Sequence, residues 1–141
     1  MKDAGLPQPP SERASQPREF ARFLLVGVLN TCTGLAVIYS AKWLAHWDDV
    51  PANLLGYAVG LTVSFALNRR WTFAHTGAAL PALARFLMAT AVAYGANLGV
   101  VLLALKGLDL NSYLAQAAGV PAYTLTAYLL GRHFVFTRAG V

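Results

Sequence analysis

Basic side chains cluster at two places where a long apolar run of the sequence ends. Arg69 and Arg70 directly follow Asn68, and Arg132 stands beside His133 at the end of a later run. An arginine side chain presents a planar set of donors that can bind two oxygens of one phosphate together. One basic residue per helix end is enough for anchoring at a membrane surface, so the adjacent pair goes beyond that need. Two interpretations stay open, a membrane anchor and a site for an anionic head group.

Two more arginines open apolar runs, and polar side chains lie inside those runs. Arg22 and Arg85 each precede a phenylalanine, and we expect both at the same membrane level as the other arginines. The polar residues inside the first two runs include Asn30, Thr31 and Ser64. Asn30 lies eight residues beyond Arg22, which is about 12 Å along a helix at 1.5 Å per residue. Such side chains either bond between helices or line a polar path for a hydrophilic head group.

Motifs for other kinds of chemistry are missing from the sequence. It contains no phosphate-binding loop, dinucleotide fingerprint, serine-hydrolase elbow or zinc-protease motif. The single cysteine, Cys32, can neither form an intrachain disulfide nor build a metal site by itself. All six acidic residues lie outside the apolar runs, which argues against a cation-coupled small-molecule exporter. We therefore expect no catalytic residue, no metal, no cofactor and no enzymatic activity.

The helices that carry these residues are predicted from the lengths of sequence that contain no charged residue. Only 12% of the 141 residues are charged, against about 25% in soluble domains. Four runs contain no charged residue, at positions 23–41, 50–68, 86–105 and 110–131. A helix of about 20 apolar residues crosses the hydrocarbon layer of a membrane. The sequence therefore predicts an all-α membrane protein with four transmembrane helices.

The two halves of the sequence resemble each other at an offset of 63 residues. The matching positions include Arg22 with Arg85, Gly56 with Gly119, Arg69 with Arg132, and Phe73 with Phe136. Each half enters the membrane after an Arg-Phe pair and leaves it at a cluster of basic and aromatic residues. We therefore predict two helical hairpins arranged as a parallel repeat. We expect a disordered cytoplasmic tail over 1–19, a four-helix domain over 20–137 with halves at about 20–76 and 83–137, and a short tail over 138–141.

The distribution of basic residues predicts the orientation of these helices. With a cytoplasmic N-terminus, nine basic residues lie on the inner side and only Lys42 and Lys106 on the outer side. Positive residues are retained on the cytoplasmic side of membrane proteins, so both termini are expected there. The net charge of +5 comes from residues at the ends of apolar runs, so it indicates membrane orientation and not binding to nucleic acid.

Several stretches of the sequence resemble the GtrA-like family. They are residues 22–31 (RFLLVGVLNT), 53–57 (NLLGY), 64–73 (SFALNRRWTF), 85–86 (RF) and 131–136 (GRHFVF). The resemblance implies a small four-helix protein of the bacterial inner membrane. It implies translocation of a polyprenyl-phosphate-linked sugar from the cytoplasmic to the outer leaflet for cell-surface polysaccharide synthesis. A glycosyltransferase of the same pathway is the implied partner. The alternative is a non-transporting adaptor that recruits or stabilises such a glycosyltransferase.

Within the candidate head-group site, we expect Arg69 to matter most, with Asn68 orienting it. The assisting residues are Arg70, Arg22, Arg132 and Arg85, with Trp71 fixing the depth of the cluster and Asn30, Thr31 and Ser64 lining the path of the sugar. In the second half Gly131 replaces Asn68 and Phe134 replaces Trp71, so the first half is expected to dominate. Glycine pairs in the second and third helices also suggest a homo-oligomer, a dimer in the simplest case.

The predicted topology can be tested by thiol labelling. An Asp48→Cys variant made in a Cys32→Ser background should react from outside with a membrane-impermeant reagent, because Asp48 lies in the first outer loop. A Gly77→Cys variant in the same background is the matched control and should stay unlabelled in intact cells. Labelling of Gly77→Cys from outside would contradict the predicted orientation.

Overall fold

The computed structural model describes residues 10–137, and within this part of the chain every regular element is helical. The four α-helices are α1 (Pro10–Leu44), α2 (Asp49–Leu67), α3 (Ala79–Lys106) and α4 (Ser112–Leu130). Two five-residue π-helical turns directly follow α2 and α4, at Asn68–Thr72 and Gly131–Val135. The all-α prediction is confirmed.

The first helix starts earlier than the sequence indicated. It begins at Pro10, so helical backbone extends into part of the segment expected to be a disordered tail. Proline is well accommodated at the first helical position, because its missing N–H has no partner there in any case. The rest of that segment, residues 1–9, and the predicted C-terminal tail, residues 138–141, lie outside the described residues.

Three of the four helices are long and apolar enough to cross a membrane, over residues 15–44, 49–72 and 79–106. Large apolar side chains such as Leu54 and Leu103 are exposed along them. Such surfaces are suited to a lipid environment, because lipid tails are as apolar as these side chains and contact between them costs no free energy. The fourth helix is not among these three; it has 19 residues, which include Gln116, Pro121 and three tyrosines. That it too crosses the membrane stays a prediction.

By its internal contacts the described part of the chain divides into two compact units, with the boundary between Thr72 and Phe73. In the first unit α1 packs against α2 at two glycines. A Cβ atom added to Gly56 would lie 2.8 Å from the carbonyl oxygen of Gly34 and would also meet Ile38. A Cβ added to Gly60 would lie 2.5 Å from Asn30 Oδ1. These glycines therefore let the backbones approach closely, and α1 already covers the glycine pair of α2.

In the second unit α3 packs against α4 in an equivalent way. A Cβ added to Gly119 would lie 2.7 Å from Val101 Cγ2 and would collide with the Asn97 side chain. At the offset of 63 residues, Gly119 corresponds to Gly56, and Asn97 and Val101 correspond to Gly34 and Ile38. The two π-helical turns also lie at equivalent positions. Each unit thus repeats both the glycine contact and the π-helical turn.

Short connections join the helices within each unit. Lys42 and Asp49 form an ion pair between the end of α1 and the start of α2. Both side chains are exposed, so this pair adds little stability. The side chain of Asn111 caps α4, where its Oδ1 accepts a hydrogen bond of 3.0 Å from the Leu114 N–H. Such a cap satisfies one of the N–H groups that the first turn of a helix leaves without an internal partner.

The glycine contacts predict which substitutions the fold tolerates. Gly56→Ala and Gly119→Ala should each destabilise the protein by about 1–3 kcal/mol, because the added methyl group overpacks a helix contact. Gly27→Ala is the matched control, since Gly27 is exposed and nothing described lies within 4 Å of its added Cβ. It should be neutral or slightly stabilising. Unfolding in mixed detergent micelles measures the difference, and equal effects at the three positions would contradict the packing described.

Candidate functional site

The side chains of the π-helical turn Asn68–Thr72 differ in burial, with some facing the interior and others exposed. Asn68 is only 2% exposed and Thr72 only 5% exposed. Arg70 and Trp71 are exposed, and Arg69 is half-buried. A π-helical turn bonds residue i to residue i+5 and occurs mostly as a single turn, frequently at functional sites. Here it ends α2 with Arg70 on its outer side, Arg69 half-buried and two polar groups inside.

Arg22 reaches the same turn from α1. Its Nη1 donates a hydrogen bond of 3.2 Å to the backbone carbonyl of Trp71. The guanidinium carbon also lies 5.4 Å from the centroid of the Trp71 ring, within the range of a cation–π contact. The last carbonyls of a helix lack an internal donor, so this bond satisfies one of them. Arg22 thereby joins Arg69 and Arg70 at one turn of the first unit.

The two buried polar side chains of the turn are incompletely bonded. Asn68 Nδ2 donates to Ser64 Oγ at 3.2 Å, one turn back on α2. Its other end, Oδ1, has no hydrogen-bond partner among the described residues, and neither has Thr72 Oγ1. The great majority of buried polar groups in proteins are bonded, so each exception calls for an explanation.

The equivalent turn of the second unit is built from apolar and aromatic groups. Gly131 lies under the Phe73 ring, where a Cβ atom would come within 3.1 Å of Phe73 Cζ. The ring of Phe73 stacks on that of Phe136 with centroids 5.2 Å apart. Steric pressure from Phe73 therefore explains why glycine replaces asparagine at this position of the repeat. Val135, fully buried, stands where the first unit has Thr72.

Among the remaining basic candidates, Arg132 is half-buried and Arg85 is exposed. Arg132 Nη1 donates to the hydroxyl oxygen of Tyr128 at 3.4 Å, which ties it to its own helix. Arg85 lies near the start of α3. The second unit thus carries two arginines, of which Arg132 is bonded to a tyrosine, but it lacks the inner polar pair found in the first.

The polar residues expected to line a path differ in their surroundings. Asn30 packs against Gly60, and Ser64 is bonded to Asn68 as described. Thr31 lies on an exposed face of α1, and its hydroxyl donates to the Gly27 carbonyl at 3.0 Å. That bond within its own helix satisfies the hydroxyl. A role for Thr31 in substrate contact stays a prediction.

Two further polar residues are of interest beyond those expected at the site. Thr72 lies four residues after Asn68, a spacing that places both on one face and could have indicated it. Asn97 has a buried Oδ1 without a hydrogen-bond partner in the described part of the chain, and it packs against Gly119. Its burial depends on contact with α4, which no spacing along α3 reveals.

This geometry defines a class of protein, a small helical multi-pass membrane protein with an arginine cluster at the end of a helix. Residues 22–136 match the family model described as the GtrA/DPMS transmembrane domain. This match covers most of the chain, and the chain belongs to that family. The resemblance noted from the sequence is therefore confirmed.

Curated relatives match a shorter stretch. The chain is 35% identical over 54 residues to the prophage bactoprenol-linked glucose translocase homolog of Escherichia coli (strain K12). It has the same identity over the same length to the bactoprenol-linked glucose translocases of Shigella phages SfX and SfII. Each match covers 38% of this chain and 45% of the relative. The chain thus spans a little under half the length of the curated relatives that it matches.

The contact between Arg22 and Trp71 can be tested by fluorescence. In a Trp43→Phe, Trp47→Phe background, Trp71 is the one remaining tryptophan. Arg22→Met should shift its emission to longer wavelength, because the ring loses the guanidinium that covers it, and should cost about 0.5–1 kcal/mol of stability. Arg18→Met, one turn earlier on the exposed side of α1, is the matched control and should leave the spectrum unchanged. Identical spectra for all three proteins would show that the contact is absent in solution.

Proposed function

We propose that the protein moves a polyprenyl-phosphate-linked sugar from the cytoplasmic to the outer leaflet of the bacterial inner membrane, for cell-surface polysaccharide synthesis. The observation that carries the proposal is the meeting of Arg22, Arg69 and Arg70 at one π-helical turn of an otherwise apolar helical unit. Membership of the GtrA/DPMS transmembrane family supports it, as do relatives named for translocating bactoprenol-linked glucose.

The chemistry of the cluster suits such a lipid. A phosphodiester between a sugar and a polyprenol carries one negative charge, and arginine can bind two of its oxygens together. The exposed apolar faces of the helices keep contact with the polyprenyl tail in the lipid, while the sugar passes along polar side chains. The sequence contains no phosphate-binding loop for a nucleotide. Transport is therefore proposed to run downhill, driven by synthesis of the lipid inside and its consumption outside.

The proposed arrangement has four membrane-crossing helices, with both termini in the cytoplasm. The two units form a parallel repeat, as in one of the two ways in which transporters are built. Both π-helical turns then lie on the cytoplasmic side, where the lipid-linked sugar is made. This orientation is supported by nine basic residues on that side against two on the other.

A glycosyltransferase of the same pathway is the proposed partner, since the substrate must be synthesised at the inner face. A homodimer is a further proposal. The glycine pair of α2, Gly56 and Gly60, already packs against α1. The pair on α3, Gly95 and Gly99, has no described atom within 4 Å of an added Cβ, so this face is the better candidate for contact with a second copy.

The test is a flipping assay in proteoliposomes with a fluorescent polyprenyl-phosphate sugar. The parent protein should accelerate movement of the lipid, and Arg69→Lys should bind it about tenfold or more weakly, because lysine keeps the charge and loses the paired hydrogen bonds. Arg18→Lys is the matched control and should behave like the parent. If Arg69→Lys and Arg69→Ala both bind and flip normally, the cluster only anchors the helices. If the parent flips nothing but retains a glycosyltransferase at the membrane, the adaptor alternative is correct.

A further inference from the structure

The inner side of the first π-helical turn holds two polar atoms that no part of the described chain satisfies. They are Oδ1 of Asn68 and Oγ1 of Thr72. Both side chains are more than nine-tenths buried. The conclusion does not depend on which way the Asn68 amide is turned, since Ser64 can satisfy only one of its two ends. One end of the amide and one hydroxyl therefore lack partners in either orientation.

The two groups lie close enough to act on one ligand. They are four residues apart in a single helical turn, so they face the same side and are separated by no more than about 6 Å along the axis. The basic side chains of Arg69 and Arg70 stand between them in the sequence. A ligand held by this pair thus adjoins the cationic cluster.

The second unit provides an internal comparison for this pair. At the equivalent positions it has Gly131 and Val135, both buried and both without a polar side chain. The same backbone turn therefore forms without an asparagine and a threonine inside it. Folding of the turn does not explain why the first unit carries two polar groups that cost free energy to bury unpaired.

The chemistry of the pair selects the kind of ligand. With the amide oriented as in this structure, its inner oxygen needs a donor, and a phosphodiester has only acceptors. A metal cation is disfavoured beside three arginines. A sugar hydroxyl both donates and accepts, and it can satisfy the amide in either orientation together with the threonine hydroxyl. We propose that Asn68 and Thr72 bind a hydroxyl group of the sugar, next to arginines that bind the phosphate.

This inference rests on the proposed function and assigns a sugar-binding subsite within it. The pair is closed to solvent in this structure, so the sugar reaches it in a conformation that opens the turn. A translocation cycle requires such openings, because the head group has to enter from one side and leave at the other. Asn68 thereby contacts substrate directly, in addition to standing beside Arg69.

The test measures how strongly the parent and each variant bind two lipids, a short-chain polyprenyl phosphate and its glucose-bearing form. Thr72→Val removes the hydroxyl and keeps the shape, and the repeat already accommodates valine at the equivalent position. It should weaken binding of the glucose-bearing lipid by about 3- to 10-fold, the effect of losing one neutral hydrogen bond, and leave polyprenyl phosphate within about twofold. Its thermal stability should be equal to or above that of the parent, since an unpaired buried hydroxyl is gone.

Two further variants make the result specific. Thr72→Ser keeps a hydroxyl and should restore binding of the glucose-bearing lipid. Thr62→Val is the matched control, because the exposed Thr62 hydroxyl already donates to the Ala58 carbonyl of its own helix. If the parent binds both lipids and Thr72→Val weakens both equally or neither, the sugar subsite is wrong and the proposed function stands. If the parent binds neither lipid, the proposed function and the subsite are both wrong.

Discussion

The cost of placing charge in hydrocarbon is the constraint on which the rest of this structure depends. Ionised side chains within a bilayer are expensive, so they collect where helices end. In this chain no arginine lies within the long apolar stretches, and the arginines lie toward the ends of helices. Three arginines, Arg69, Arg70 and Arg132, are thereby placed in the two π-helical turns. A concentration of arginine beside an apolar surface is what recognition of an anionic lipid requires.

Close helix packing converts that concentration into a site. Gly56 and Gly60 let α1 lie directly on α2. Arg22, which lies on α1, then contacts the backbone carbonyl and the ring of Trp71. The π-helical turn then directs Asn68 and Thr72 inward, while its basic side chains remain outside or half-buried. Affinity for phosphate and selection of a sugar are thus proposed to reside in neighbouring side chains of a single turn.

The two repeat units show how one framework carries different chemistry. Both use a glycine in the second helix of the pair and a π-helical turn at its end. The first unit fills the inside of its turn with polar groups, and the second fills it with Gly131 and Val135 beside the rings of Phe73 and Phe136. The second unit therefore has the more apolar turn, and the proposed head-group chemistry resides mainly in the first.

The helical class, the position of the apolar runs and the grouping of basic residues could all be predicted before the structure, because they follow from hydropathy and spacing along the chain. The sequence also indicated the repeat, down to the glycine positions. The contact of Arg22 with Trp71 and the burial of Asn68 and Thr72 appeared only in the tertiary structure. Spacing along the chain does not fix them, because a bond between distant residues and the burial of a polar atom both depend on what another helix brings against them.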